Sequence, residues 1–136
     1  MKVTTEWQGG MKFLGENERG NMLVFDVPVE GKPTAGPTPM EGYLQSMIAC
    51  SGVDIVNILT KRRLKVKFLK IEADAVQACN PPKVFQRIRI KYIISGEGIN
   101  NKEMDRAIDL SVNKFCSVKA MVDRSATDFD IDYEIL

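Results

Sequence analysis

The stretch TPMEGYLQSMIACSGVDIVNILTKRR, residues 38–63, decides the fold. Thr38 can serve as an N-cap, Pro39 sits at the first helical position where its missing N–H costs nothing, and Glu41 lies three residues after the cap. This is a capping box followed by a proline start. The spacing predicts a helix to Arg63, about 25 residues and twice the usual length. Met40, Leu44, Met47, Ile48, Ile55, Ile58 and Leu59 form its apolar stripe, and Val53 and Val56 widen it until most of the circumference is apolar. A helix of that kind is buried in the centre of an assembly. Lys61, Arg62 and Arg63 close it against the negative end of the helix dipole.

Outward from this helix the pattern alternates between extended and helical. Val3 to Gln8 and Met11 to Gly15 are β-like and separated by Gly9-Gly10. NERGN, residues 17–21, reads as a hairpin loop, and Met22 to Val29 as a third strand. Beyond the helix, strands are expected over Val66 to Cys79, Val84 to Ser95 and Asp128 to Leu136, with Asn80-Pro81-Pro82 as a turn. Arg87, Arg89 and Lys91 give one strand a basic face; Asp128, Asp130, Asp132 and Glu134 give another an acidic one. Opposite charges stabilise neighbouring strands, so these two are expected to pair. A second helix is expected from Asn101 to Phe115, with Met104, Ala107, Ile108, Leu110, Ser111 and Phe115 at the helical period. Ser117 is placed to cap a short third helix, Val118 to Val122. The order βββ-α-ββ-αα-β defines an α+β protein.

Composition narrows the chemistry. The chain has 136 residues, 44% of them apolar, which suits one domain with a real core. The net charge of +1 gives no bias toward polyanions. The run KRRLKVKFLK, residues 61–70, reads as a helix end and a strand with solvent-facing lysines, so no nucleic-acid partner is expected. MKVTTEWQGG lacks the apolar run of a secretory signal, and no stretch has the roughly 18 continuous apolar residues of a membrane span. With three cysteines, an odd number, the expectation is a cytoplasmic protein with free thiols. Histidine is absent, which excludes Ser-His and Cys-His nucleophile pairs and His-based metal sites within one chain. Three cysteines scattered along the sequence are poor zinc ligands, so neither metal nor organic cofactor is expected.

Cys50 has two readings. Free cysteine often behaves as a small buried hydrophobe. At 100° per residue, however, Cys50 shares a face with Tyr43, Met47, Asp54 and Asn57, which turns polar toward the helix end and suggests a cleft border. The carboxylate of Asp54 would oppose thiolate formation there, so a reactive Cys50 needs a cation from Lys12, Arg19, Lys119 or Arg124. Cys116 falls at a helix junction, either as filler or as a thiol at a helix N-terminus. Cys79 reads as incidental.

GPTPMEGYLQSMIACSGVDIVNIL, with Pro39 eleven residues before Cys50, and FCSV at residues 115–118 together resemble the central-helix and second-cysteine motifs of the OsmC/Ohr family (osmotically inducible protein C and organic hydroperoxide resistance protein). The resemblance spans essentially the whole chain. It implies a long central helix wrapped by antiparallel sheets and an intertwined homodimer with active sites at the subunit interface. It further implies thiol-dependent reduction of organic hydroperoxides, Cys50 attacking and Cys116 resolving, with an external dithiol as reductant. Met47, Phe115 and Met121 are candidates for an apolar pocket wall. The family's acidic residue directly after the helix proline is replaced here by Met40, with Glu41 one position later; after Gly9-Gly10 come Met11 and Lys12 where the family has arginine. Lys12, Arg19 and Glu41 are therefore the candidates for activating the thiol. The alternative is a non-catalytic member of the same fold that holds a small apolar molecule in the interface pocket.

Overall fold

Thr38 and Glu41 set the start of the long helix. The Glu41 amide donates to Thr38 Oγ1 (3.2 Å), while the Thr38 amide and hydroxyl donate to Glu41 Oε2 (2.7 and 2.9 Å). These bonds hold the Glu41 carboxyl below the usual carboxylate range. In the computed structural model, which describes residues 1–122 and 125–136, helix α1 spans Pro39–Lys61. It stops two residues short of the expected Arg63. Arg63 takes a left-handed conformation (φ 63°), and the amides of Arg63 and Leu64 return to the carbonyls of Thr60 and Leu59 (2.8 and 3.0 Å). That is a Schellman closure with arginine in the place glycine usually holds.

The chain divides into two compact units, Met1–Leu44 and Gln45–Leu136. The first holds strands β1 (Val3–Trp7), β2 (Phe13–Asn17) and β3 (Met22–Phe25) in an antiparallel sheet of that order. Gly9 and Gly10 both have positive φ (91° and 56°), as the turn between β1 and β2 requires. Asn17 organises the next turn, its Oδ1 accepting from the amides of Arg19 (2.9 Å) and Asn21 (3.1 Å). β3 ends at Phe25 rather than running to Val29. Beyond it the Asp26 amide donates to the Pro37 carbonyl (3.0 Å) and the Asp26 carboxylate accepts from the Ala35 amide (3.0 Å), which folds the Gly- and Pro-rich loop back on the strand end.

In the second unit β4 (Lys65–Gln77), β5 (Phe85–Glu97) and β6 (Asp128–Ile135) form a sheet in that order. Ile88, Ile90, Tyr92 and Ile94 of β5 are buried, with Met47, Ile55 and Leu59 of α1 and Met104 and Ala107 of α2 (Asn101–Leu110). Gly52 allows α1 close to β4: a Cβ there would stand 2.9 Å from Ile71 Cδ1. Arg62, at the end of α1, makes a bidentate pair with Glu103, in the first turn of α2.

The basic and acidic strands do pair: Arg89 meets Asp130 (3.0 Å) and Lys91 meets Glu134 (2.7 Å). The pairing is parallel, with Arg87 opposite Asp128 and Ile94 opposite Ile135. The expectation of wholly antiparallel sheets is corrected at this pair. The helices between β5 and β6 carry the chain back to the starting end of the sheet, and such a crossover makes the next strand parallel.

The second expected helix also differs. It is α-helical only to Leu110; Ser111–Phe115 form a π-helical turn, followed by α3, Ser117–Ala120, with Cys116 rather than Ser117 at the N-cap. The order βββ-α-ββ-αα-β otherwise holds.

At Gly96 an added Cβ would overlap the Lys65 carbonyl oxygen, a backbone atom that cannot step aside. Gly96→Ala is expected to lower unfolding free energy by about 2 kcal/mol or more, measured by urea denaturation against the wild type.

Candidate functional site

The π turn determines what reaches α1. Its closing bond runs from the Cys116 amide to the Ser111 carbonyl (2.8 Å), five residues back. In an α-helix residues five apart point about 140° away from each other; here Ser111 and Cys116, five apart, are both buried. π turns recur at functional sites because they re-aim side chains in this way.

Cys116 Sγ donates weakly to the Met47 carbonyl (3.8 Å), one turn before Cys50 on α1. The sulfurs of Cys50 and Cys116 and a carboxylate oxygen of Asp54 all lie within 4.8 Å of one another. Cys50 and Asp54 are half-buried, and Cys116 is 4% exposed. The three groups come from a helix and a junction that lie far apart in the sequence.

Beneath the thiols runs a row of hydroxyls. Ser111 Oγ donates to Asp54 Oδ2 (3.0 Å), stands 3.2 Å from Ser51 Oγ, and Ser51 in turn bonds Tyr92 Oη. A carboxylate only accepts, so the single Ser111 proton goes to Asp54. Ser51 then donates to Ser111, and Tyr92 to Ser51. The row thus has one direction, Tyr92 to Ser51 to Ser111 to Asp54.

Burial pushes the Cys116 thiol up from 9.0 to about 11, and Cys50 and Asp54 push the same way. The Lys119 amide at the start of α3 favours the thiolate but does not offset them. Cys116 is thus both of the things its position allowed, a buried junction residue and a thiol at a helix N-terminus, and burial outweighs the helix. Burial also raises Tyr92, against the Ser51 hydrogen bond and with the charges of Cys116 and Asp54.

The other candidate residues have varied surroundings. Met47 is fully buried, whereas Phe115 and Met121 are 47% and 79% exposed. Lys119 is buried with its ammonium 4.2 Å from the Phe129 ring centroid. Glu41 is engaged by its cap. Lys12 and Arg19 belong to the N-terminal unit, where Lys12 lines a groove of about 320 Å³ with Gln8, Asp26 and Lys32. Arg124 lies outside the described residues. Cys79 is exposed. Ser51, Ser111 and Tyr92 were not distinguished in the sequence as polar partners. Their one signal was a hydroxyl at positions whose periodicity demands burial.

Fold and site together define a class: an α+β protein whose long central helix presents a cysteine to a second cysteine at a helix junction. The OsmC-like protein profile matches residues 30–132, and this chain belongs to that family. It is 31% identical over 136 residues to Protein YhfA of Escherichia coli K12, covering all of this chain and 98% of the relative. A crystal structure of a hypothetical protein from Aquifex aeolicus superimposes with a TM-score of 0.86 at 33% identity, covering 99% of this chain and 95% of the other. The organic hydroperoxide resistance protein OhrB of Bacillus subtilis shares the fold at a TM-score of 0.63 and 16% identity, over 98% and 96% of the two chains.

Alkylation tests the thiol environment. Only a thiolate attacks an alkylating reagent, and its fraction falls tenfold for each pH unit below the pKa. In the reduced protein Cys116 is expected to react with iodoacetamide far more slowly than Cys79 at pH 8 and to catch up only as pH approaches 11. Peptide mass spectrometry across a pH series measures both.

Proposed function

We propose that the protein is a cysteine-based peroxidase that reduces organic hydroperoxides, with Cys50 attacking and Cys116 resolving. The observation that carries this reading is the convergence of two thiols, distant in sequence, within 4.8 Å of one another. The shared fold with organic hydroperoxide resistance proteins supports the choice of substrate. The division of roles follows exposure and proton affinity: Cys50 is the more accessible sulfur, and Cys116 keeps its proton until needed.

The chemistry balances without metal or organic cofactor. The Cys50 sulfur, having lost its proton, attacks the outer peroxide oxygen. The O–O bond breaks, the sulfur becomes a sulfenic acid, and the departing alkoxide takes up the proton as alcohol. The Cys116 sulfur then displaces hydroxide from the sulfenic sulfur, giving a disulfide and water. An external dithiol reduces the disulfide by exchange, restoring both thiols and leaving as its own disulfide. Lys12 and Arg19 are retained as the proposed sources of positive charge for Cys50, and Met47, Phe115 and Met121 as the proposed apolar wall.

The working form is proposed to be an intertwined cytoplasmic homodimer built from one domain per chain. Support comes from the helix itself: Val53 and Val56, part of its wide apolar surface, are 60% and 38% exposed in a single chain. A second copy would cover them, as the girth of the helix demands. No helix among the described residues is long and apolar enough to cross a membrane.

A second reading, a binding protein for a small apolar molecule, draws on a groove of about 320 Å³ in the N-terminal unit lined by Val3, Met22, Leu23 and Phe25.

Consumption of cumene hydroperoxide coupled to a dithiol separates the two readings. Wild type is expected to turn over, and Cys50→Ser to lose activity by at least about a hundredfold. Cys116→Ser is expected to accumulate a sulfenic acid that dimedone traps. Turnover undiminished in Cys50→Ser would remove the proposed nucleophile, and no turnover with any hydroperoxide favours the binding reading.

A further inference from the structure

The same gathering of sulfur and oxygen has a second chemical meaning that involves no peroxide. We propose that the reduced protein binds a thiophilic divalent cation of the zinc class through Cys50, Cys116 and Asp54, leaving the fourth coordination position open. The inference rests on the donor set and its spacing, not on the peroxidase reading.

Zinc holds thiolate at about 2.3 Å and carboxylate oxygen at about 2.0–2.2 Å, so donors in a tetrahedral site stand about 3.6–3.8 Å apart. The three donor atoms already lie within 4.8 Å of one another, so the shifts needed to close on an ion are modest. Cys50 and Asp54 are four residues apart on α1 and project from one side of it, while Cys116 enters from the junction after the π turn. Three donors from two rigid elements form a partly closed site, and the partial exposure of Cys50 and Asp54 leaves a route in. Ser111 holds Oδ2 of Asp54, leaving the other carboxylate oxygen for the ion. A hydrogen-bonded ligating carboxylate of this kind is common around protein-bound metals. Two soft sulfurs select zinc, cadmium or cobalt over magnesium and calcium. Binding displaces the thiol protons, so affinity falls as pH is lowered. The sequence contains no histidine and its cysteines are far apart, which is why a site of this composition is invisible before folding.

Cobalt(II) is the probe. Titrated anaerobically into the fully reduced protein, it is expected to give a sulfur-to-cobalt charge-transfer band in the near ultraviolet that saturates at one equivalent per chain and is abolished by zinc. Asp54→Asn is expected to weaken cobalt binding at least tenfold, and Cys79→Ser to leave it unchanged. Zinc should also shield Cys50 and Cys116 of the wild type, but not Cys79, from alkylation, a readout that needs no variant. No saturable band, a band lost in Cys79→Ser, or equal alkylation of Cys50 with and without zinc would each overturn the proposal. All of these are read without hydroperoxide, so failure here leaves the redox reading standing, and failure of turnover leaves this site standing.

Discussion

The seat of α1 on the second sheet is the constraint from which the site follows. Gly52 presents no side chain to Ile71, and Ser51 beside it reaches the buried hydroxyl of Tyr92. Because the helix is held this close and in this rotation, the neighbouring Cys50 and Asp54 have fixed directions. Leu59 and Ile55 extend the contact along the helix, and Arg62 with Glu103 ties its end to the start of α2. That exposed ion pair is screened by water and adds little stability, but its two-pronged geometry specifies orientation.

Much of this was legible in residues 38–63. The Thr38–Glu41 box, the proline start and the long apolar surface are local features, and local features survive folding unchanged. The alternation in Asp128–Ile135 and its match to Arg87–Lys91 likewise identified neighbouring strands. Their parallel direction was not drawn from the sequence, although the intervening helices make the connection long enough for it. Periodicity reports which face of a strand is buried and is blind to strand direction.

The site was legible only in part. Cys50 and Cys116 stood out as residue types, and the resemblance of their surroundings to a known family linked them. What the pattern hid was the π turn. Met104, Ala107, Ile108 and Ser111 continue the α period smoothly, and nothing at 111–115 breaks it. The hydroxyl row was concealed for the same reason, since Ser111 and Tyr92 occupy positions that periodicity assigns to the apolar interior. A buried serine at such a position marks a partner across the core, because an unpaired buried hydroxyl is costly. The proton affinity of Cys116 could not be read from helix position alone, since burial outweighs the one favourable amide.

The π turn also bears on how the chain tolerates change in length. It holds one residue more than an α-helical path of the same rise would need. Deleting any single residue between 111 and 115 would let the segment relax into an ordinary helix without breaking the helical path. In the relaxed helix Ser111 and the following sulfur would stand four residues apart, only about 40° around the axis. A chain one residue shorter at this point would therefore keep both its helical path and the meeting of its two thiols.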